Sequence, residues 1–213
     1  MRSRFPNRKA AGQALAREVA TRIDPSEDVL VLGLPRGGVP VAAEVAAVLG
    51  ASLDVFVVRK LGVPGHEELA MGALAGDGTV VINHAVVDRL GITEATIDRV
   101  VDEERYEVDR RQHAYRGDRP PVDIAVRTVI IVDDGLATGA TMRAAVDAVR
   151  AQQPQRIVVA VPVAPPAAVD ALRDVVDDVV AVATPMSFLA VGEAYEDFTQ
   201  TTDDEVRALL SRP

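Results

Sequence analysis

Short apolar runs alternate with helical patterns along the chain, and most of these runs are apolar on both faces. Such runs are typical of parallel strands covered by helices on both sides, so we predict strands at residues 29–34, 54–58, 128–132, 157–161 and 179–183. A short additional strand is predicted at 79–82. Helical periodicity predicts helices at residues 8–23, 40–49, 94–114, 140–151 and 166–176. The alternation indicates an α/β fold with a mostly parallel central sheet of about five strands flanked by helices.

Two segments carry clear helix signals. Thr202 and Glu205 have the spacing of a capping box, and acidic residues follow Thr202, so a terminal helix is expected to start there. Residues 94–114 are dense in charge with apolar residues on one face, which is typical of a solvated amphipathic helix. We assign no chemistry to that helix.

Composition narrows the classes of function. The 213 residues, 48% hydrophobic and 26% charged, are most simply one globular domain over residues 1–213. The absence of cysteine excludes disulfides, thiolate metal sites and a cysteine nucleophile. No stretch has the roughly 20 apolar residues of a membrane span, and the start lacks a signal-peptide core, so we expect a cytoplasmic protein. A net charge of -9 argues against nucleic-acid binding and favours small-molecule partners.

The most informative stretch is VIIVDDGLATGAT, residues 129–141, in which an acidic pair and a loop of small residues follow a predicted strand. Ligands of open parallel sheets bind beyond the carboxyl ends of the strands. Backbone N–H groups in a loop that enters a helix bind phosphate, whereas carboxylates suit hydroxyl groups or a divalent cation held through water. The stretch therefore indicates a sugar phosphate site formed by Asp133, Asp134, Gly135, Ala137, Thr138, Gly139, Ala140 and Thr141.

Two other predicted strand ends carry basic residues. In LPRGG, Arg36 precedes Gly37 and Gly38, which offer exposed backbone amides beside one cation. Arg59 and Lys60 follow the second predicted strand, and lysine occurs elsewhere in the chain only at position 9. A compact ammonium group at this point suggests a specific task. Two anion sites imply a ligand with phosphate groups at both ends, although each basic segment alone also fits an ordinary solvated turn.

Taken together, these segments resemble the type I phosphoribosyltransferases. VIIVDDGLATGAT resembles the signature motif of that family, LPRGG its pyrophosphate loop, RKLGVPGHEELAMG its mobile active-site loop, and FLAVGEAYEDF the hood that covers the base. The resemblance is closest to a bacterial branch of unassigned base specificity. It implies a Rossmann-like fold with a small hood, formed by the N-terminal helix and residues 184–213. It also implies a homodimer that uses phosphoribosyl diphosphate (PRPP) and Mg²⁺ to join ribose 5-phosphate to a nitrogenous base, as in nucleotide salvage.

The resemblance also assigns roles to residues. Asp133 and Asp134 would hold the ribose hydroxyls, with Mg²⁺ bound indirectly through those hydroxyls or water, and residues 135–141 would hold the 5-phosphate. Diphosphate would be bound by Arg36, Gly37, Gly38, Arg59 and Lys60, with a cis peptide bond between Pro35 and Arg36. The implied catalytic residues are Lys60, Arg59, Asp133 and Asp134. A lid over residues 62–78 would exclude water.

The segment that would bind the base gives the weakest sequence signal. Phe188, Val191 and Tyr195 are candidates because aromatic faces stack on planar bases, but packing of a C-terminal flap explains the aromatic residues equally well. Glu196 and Asp197 are additional acidic candidates, and His66 is left out of the primary site. Ala137 occupies a position where 6-oxopurine enzymes of the family usually have aspartate, which weakens that base assignment. The alternative function is a PRPP- or nucleotide-binding sensor that lacks transferase activity.

Overall fold

The central sheet has five parallel strands. The computed structural model describes residues 4–117, 119–186 and 190–211. The strands, in chain order, are β1 (Val29–Gly33), β2 (Ser52–Val55), β3 (Val58–Val63), β4 (His66–Ala75), β5 (Val80–Ile82), β6 (Thr128–Val132), β7 (Arg156–Val163) and β8 (Asp178–Ala183). The parallel sheet has the order β2-β1-β6-β7-β8, and β1 and β6 are buried at every position. The predicted fold class is confirmed.

Helices cover both faces of this sheet. They are α1 (Arg8–Ala20), α2 (Gly38–Leu49), α3 (His84–Leu90), α4 (Glu94–Arg116), α5 (Ala140–Ala151), α6 (Pro166–Arg173) and α7 (Asp203–Leu210). Leu15 of α1 and Val45 of α2 pack on one face, and Met142 of α5 and Val169 of α6 pack on the other. Burial of these apolar side chains is the main force that holds the layers together. Within the described parts of the chain, no helix is long and apolar enough to cross a membrane.

The predicted strand at 54–58 requires correction, and the predicted lid at 62–78 contains regular strands, while its closure over a ligand stays a prediction. The parallel strand β2 already ends at Val55, and β3 then starts a separate antiparallel sheet with the order β3-β4-β5. Leu61, Met71 and Leu74 of this second sheet are buried in a core shared with α4 and α7. Burial in this core stabilises regular strand pairing, so most of residues 62–78 form a hairpin.

Other boundaries differ by a few residues. The helix α2 begins two residues earlier than predicted, whereas α1 and α6 each end three residues earlier. The helix α3 was not predicted, since two turns are too short for a clear helical period. The terminal helix is confirmed. The side chain of Thr202 accepts from the backbone N–H of Glu205, and the side chain of Glu205 accepts from the backbone N–H of Thr202.

A buried ion pair fixes the end of α4 to β2. Arg116 donates from Nη2 to Asp54 Oδ2 at 2.7 Å and from Nε to Asp54 Oδ1 at 3.1 Å, and it also donates to the carbonyl of Val55. Both side chains are less than 10% exposed. The pair anchors α4 beside the cleft described below.

Candidate active site

The acidic pair lies at the carboxyl end of β6, between the ends of β1 and β7. Asp133 and Asp134 are half-buried, and the loop after β1 packs directly against them. A Cβ atom at Gly37 would overlap Asp134 Oδ2, and one at Gly38 would lie 2.6 Å from the carbonyl oxygen of Val132. Only glycine permits this approach, so the two glycines of LPRGG allow the loop after β1 to lie directly against the acidic pair.

The two carboxyl groups share a poorly solvated position. Burial, followed by the negative charge of Asp134, raises the pKa of Asp133 well above its usual value. Burial also raises the pKa of Asp134, against the opposing effect of Arg8. The charged pair is therefore unfavourable on its own, and partners that donate hydrogen bonds or carry positive charge would stabilise it.

The loop that follows the pair leads into the amino end of α5. Gly139 has a φ of 76° and is the N-cap residue of α5, and Thr138 Oγ1 accepts from the backbone N–H of Ala140 at 3.4 Å. The first turn of a helix presents backbone N–H groups that no intrahelical carbonyl accepts. Ala137 and Thr138 are exposed, so the amino end of α5 is open to an anion from solvent.

A cleft of about 680 Å³ adjoins this loop. Its lining includes Pro35, Arg59, Lys60 and Thr141, so it brings the three predicted anion-binding segments together. Arg59 and Lys60 were predicted to follow a parallel strand. They lie instead within β3 of the antiparallel sheet. The reason is that the apolar run 54–58 is divided between two sheets, and its second part continues as β3.

Both arginines that were predicted to bind diphosphate have carboxylate partners. Arg59 Nε donates to Glu104 Oε2 at 2.6 Å, and this hydrogen bond raises the pKa of Arg59. Arg36 Nη1 lies 3.6 Å from Asp203 Oδ1 at the start of α7. The peptide bond between Pro35 and Arg36 is cis, as the resemblance implies. An incoming anion would therefore compete with Glu104 and Asp203 for these two guanidinium groups.

Residues 190–199 form a cap over the acidic pair together with the N-terminal segment. Tyr195 is 2% exposed, its ring stacks on Phe198 at 5.0 Å, and its hydroxyl donates to the carbonyl of Asp134 at 2.5 Å. Val191 lies over Gly135, where an added Cβ atom would be 2.7 Å from Val191 Cγ1. This geometry favours the packing interpretation of Tyr195 over an open face for stacking.

The remaining candidates of the hood lie nearby or outside the described residues. Phe188 lies outside the residues that the structure describes. Asp197 is exposed and accepts from the backbone N–H and hydroxyl of Thr199, which lower its pKa. The backbone N–H of Glu196 donates to the carbonyl of Phe5. His66 is the exposed first residue of β4.

Comparison with known proteins identifies the family of the chain. The phosphoribosyl transferase domain family matches residues 4–195. The chain belongs to the phosphoribosyl transferase family. A solved structure of the protein TT1426 from Thermus thermophilus has a TM-score of 0.90 and 43% identity over 97% of both chains. The family assignment rests on the match to the family model, and the TT1426 structure shows that the same fold occurs in a solved protein.

Two curated relatives from Mycobacterium tuberculosis extend this comparison. The proteins MT0597 of strain CDC 1551 and Rv0571c of strain H37Rv, whose names assign them to the phosphoribosyl transferases, are each 47% identical over 208 residues. The match covers 98% of this chain and 46% of each relative. The present phosphoribosyl transferase chain therefore spans about half the length of the curated relatives it matches.

Three charged residues near the candidate site of this phosphoribosyl transferase were not predicted from the sequence. Arg8 pairs with Asp134, Glu104 pairs with Arg59, and Asp203 pairs with Arg36. Arg8 and Asp134 are 126 positions apart, and the other pairs are also distant in sequence. Each lies on a helix whose local pattern indicates only solvated charge, so no local signal identifies these contacts.

The N-cap glycine of α5 provides a first prediction. Gly139→Ala should lower the free energy of unfolding by about 1–2 kcal/mol, because alanine is strained at the positive φ of this position. It should also weaken binding of PRPP by about tenfold or more, since the altered turn misdirects backbone N–H groups that would bind the phosphate. Urea unfolding and calorimetric titration measure the two effects.

Gly50→Ala is the matched control for this prediction. Gly50 also has a positive φ of 62°, ends α2, and has open space around its Cα atom. Gly50→Ala should lose similar stability and keep its affinity for PRPP. Equal PRPP affinity in both variants would contradict the assignment of the phosphate to the amino end of α5.

Proposed function

We propose that this chain is a magnesium-dependent phosphoribosyltransferase that transfers ribose 5-phosphate from PRPP to a nitrogenous base and releases diphosphate. The observation that carries the proposal is the direct packing of Gly37 and Gly38 on Asp133 and Asp134. The contact supports the proposal because it joins the loop that would bind diphosphate to the carboxylates that would accept from the ribose hydroxyls, and the amino end of α5 follows those carboxylates in the chain. The membership of the chain in the phosphoribosyl transferase family supports the same reaction.

The acidic pair and the following loop would bind the two ends of the ribose phosphate. The carboxylates of Asp133 and Asp134 would accept hydrogen bonds from the ribose hydroxyls. The 5-phosphate would accept from the backbone N–H groups of residues 138–141 and from the hydroxyls of Thr138 and Thr141. These charge-assisted bonds would be stronger than bonds between neutral groups, and both sets would fix the position of C1.

The residues fit a magnesium ion bound mainly through the ligand. Mg²⁺ is commonly held by one or two carboxylates, substrate phosphates and water, rather than by a cage of protein ligands. The two adjacent carboxylates of Asp133 and Asp134 at the end of β6 fit this kind of binding. Among the described residues, no cluster of three or more His, Cys, Asp or Glu side chains forms a separate metal site. Asp133 and Asp134 would hold the ion through hydroxyls or water, and the ion would supply charge neutralisation at the diphosphate.

The reaction needs electrostatic help more than covalent help from the protein. The bond between C1 and the diphosphate oxygen breaks, its electron pair leaves with the diphosphate, and a base nitrogen forms the new bond to C1 while a proton is lost to solvent. Negative charge therefore grows on the leaving group. Arg59 and Lys60 line the cleft and Arg36 belongs to the diphosphate loop, so all three are suited to stabilise that charge.

Lys60 provides a test of this electrostatic role. Lys60→Gln should lower kcat by about a hundredfold, because one preorganised charge at the leaving group is removed. PRPP affinity should fall less, since the loop and the acidic pair still hold the ribose phosphate. Lys9→Gln is the control, because Lys9 is the other lysine of the chain and is exposed on α1. Unchanged kcat in Lys60→Gln would contradict the assigned role.

A screen of bases tests the function itself. The parent chain is mixed with PRPP, Mg²⁺ and one purine, pyrimidine or orotate base at a time, and diphosphate release is measured. Release that depends on one base supports the transferase and identifies its substrate. Tight PRPP binding without release for any base would support the sensor. Arg59 and Lys60 in the cleft favour the enzyme, since a sensor has no need to stabilise a leaving group.

Several finer features stay predictions. Ala137 is an exposed residue of the phosphate loop and offers no carboxylate to a purine ring, which weakens a 6-oxopurine as the base without selecting another one. Val191 and its backbone remain candidates for contact with the base. A homodimer is what the resemblance implies, and the net charge of -9 favours small-molecule partners over nucleic acid.

A further inference from the structure

Arg8 connects the N-terminal helix, the cap and the acidic pair. Its Nε donates to Asp134 Oδ2 at 2.8 Å, and its Nη1 donates to the carbonyl of Thr199 at 2.6 Å. Its guanidinium carbon lies 4.0 Å from the centre of the Phe198 ring. The side chains of Arg8 and Asp134 are 12% and 13% exposed, so this ion pair is well shielded from solvent. Three partners fix one guanidinium group.

The cap around Arg8 is tied to the N-terminal segment by backbone hydrogen bonds. Phe5 donates to the carbonyl of Ala194 at 2.8 Å and accepts from Glu196 at 2.9 Å, while Asp197 donates to the carbonyl of Pro6 at 3.0 Å. The hydroxyl of Tyr195 reaches the carbonyl of Asp134. Asp134 is therefore held by its carboxylate and by its backbone from one continuous unit.

We propose that Arg8 is a positioning residue that presets Asp134 for the ribose hydroxyls. Arg8 binds Oδ2 of the carboxylate at 2.8 Å and thereby fixes the orientation of the carboxylate before a ligand arrives. An acceptor that is ordered before binding loses less entropy when the ligand arrives. The proposal rests on the proposed function, since it presumes that Asp134 binds a ribose hydroxyl.

The chemistry of arginine suits this task better than that of lysine. The planar guanidinium group donates in fixed directions to two acceptors and stacks on an aromatic ring at once. Here the acceptors are Asp134 and Thr199, and the ring belongs to Phe198. Lysine would keep the charge near Asp134 and lose the fixed geometry. Selection between sugars with and without hydroxyls should therefore depend on Arg8.

The test compares two ligands that differ only in these hydroxyls. Ribose 5-phosphate and 2,3-dideoxyribose 5-phosphate are titrated with Mg²⁺ into the parent, Arg8→Gln and Arg8→Lys. In Arg8→Gln, affinity for ribose 5-phosphate should fall about tenfold to a hundredfold, while affinity for the dideoxy sugar, which still contacts residues 138–141, should change little. Arg8→Lys should recover part of the discrimination.

Arg17→Gln serves as the control, because Arg17 is exposed on the same helix. This variant should bind both sugars like the parent. If Arg8→Gln leaves the ratio of the affinities for the two sugars unchanged, the positioning role is contradicted. Arg8 would then only hold the N-terminal helix and the cap together. If Arg8→Gln fails to fold, the ratio in Arg8→Lys decides in the same way. A parent chain that binds ribose 5-phosphate no better than the dideoxy sugar would instead contradict the proposed function.

Discussion

Asp133→Asn combined with Asp134→Asn should reduce PRPP binding by more than a hundredfold and abolish turnover. Each hydrogen bond from a ligand hydroxyl to a carboxylate contributes about 1.5–3 kcal/mol, and the double variant weakens both. It also removes the negative charge that favours Mg²⁺ at the site. Calorimetric titration with PRPP and Mg²⁺ measures the loss.

The double variant should remain folded. Because burial raises the pKa of both carboxyl groups above the unfolded value, their ionisation weakens the folded state at neutral pH. Asparagine removes that charge, and its side-chain oxygen still accepts from Arg8. Asp102→Asn with Asp109→Asn gives the same charge change at exposed positions of α4 and should bind PRPP normally. PRPP binding at parental affinity by the Asp133 and Asp134 variant would refute the site assignment.

The second large effect concerns stability. Arg116→Met should lower the free energy of unfolding by about 3–5 kcal/mol, because it leaves Asp54 buried without its countercharge. The carbonyl of Val55 also loses its hydrogen bond from Arg116. This loss is a large part of the roughly 5–15 kcal/mol by which domains are usually stable. Urea unfolding of the purified variant measures it.

Exposed pairs provide the comparison for Arg116. Arg173→Met removes the partner of Asp170, and both of those side chains are more than 60% exposed. Such surface pairs contribute about 0–1 kcal/mol, so this variant should unfold close to the parent. If Arg116→Met unfolds at the same urea concentration as Arg173→Met, the buried pair is not what anchors α4 to β2.

The parallel sheet was predictable because its strands are apolar on both faces. Runs such as residues 128–132 need cover on both sides, and α/β layering is the simple way to provide it. The hairpin of β3 and β4 was missed for a physical reason. Its buried residues Leu61, Met71 and Leu74 are interrupted by glycine and polar residues, and much of their core comes from the distant helices α4 and α7.

The functional site divides in a similar way. Asp133 and the loop that follows it are contiguous in sequence, so the sequence alone is enough to propose a sugar phosphate site there. Contacts such as Arg8 with Asp134 or Glu104 with Arg59 depend on how distant helices pack, and a pattern of charges on a helix does not encode them. Tyr195 shows the same limit. An aromatic side chain at this position is compatible with stacking on a base, but in the structure Tyr195 is buried and supports the backbone of Asp134.

The most direct measurement of the central claim is a titration of PRPP and Mg²⁺ followed by the shifts of individual backbone amide signals in NMR spectra. We predict the largest changes at Gly37, Gly38 and residues 138–141, with loss of these changes when Asp133 and Asp134 are both asparagine. Shifts concentrated instead in the groove between β4, α3 and α5, with residues 138–141 unaffected, would contradict a ribose phosphate site at the end of β6.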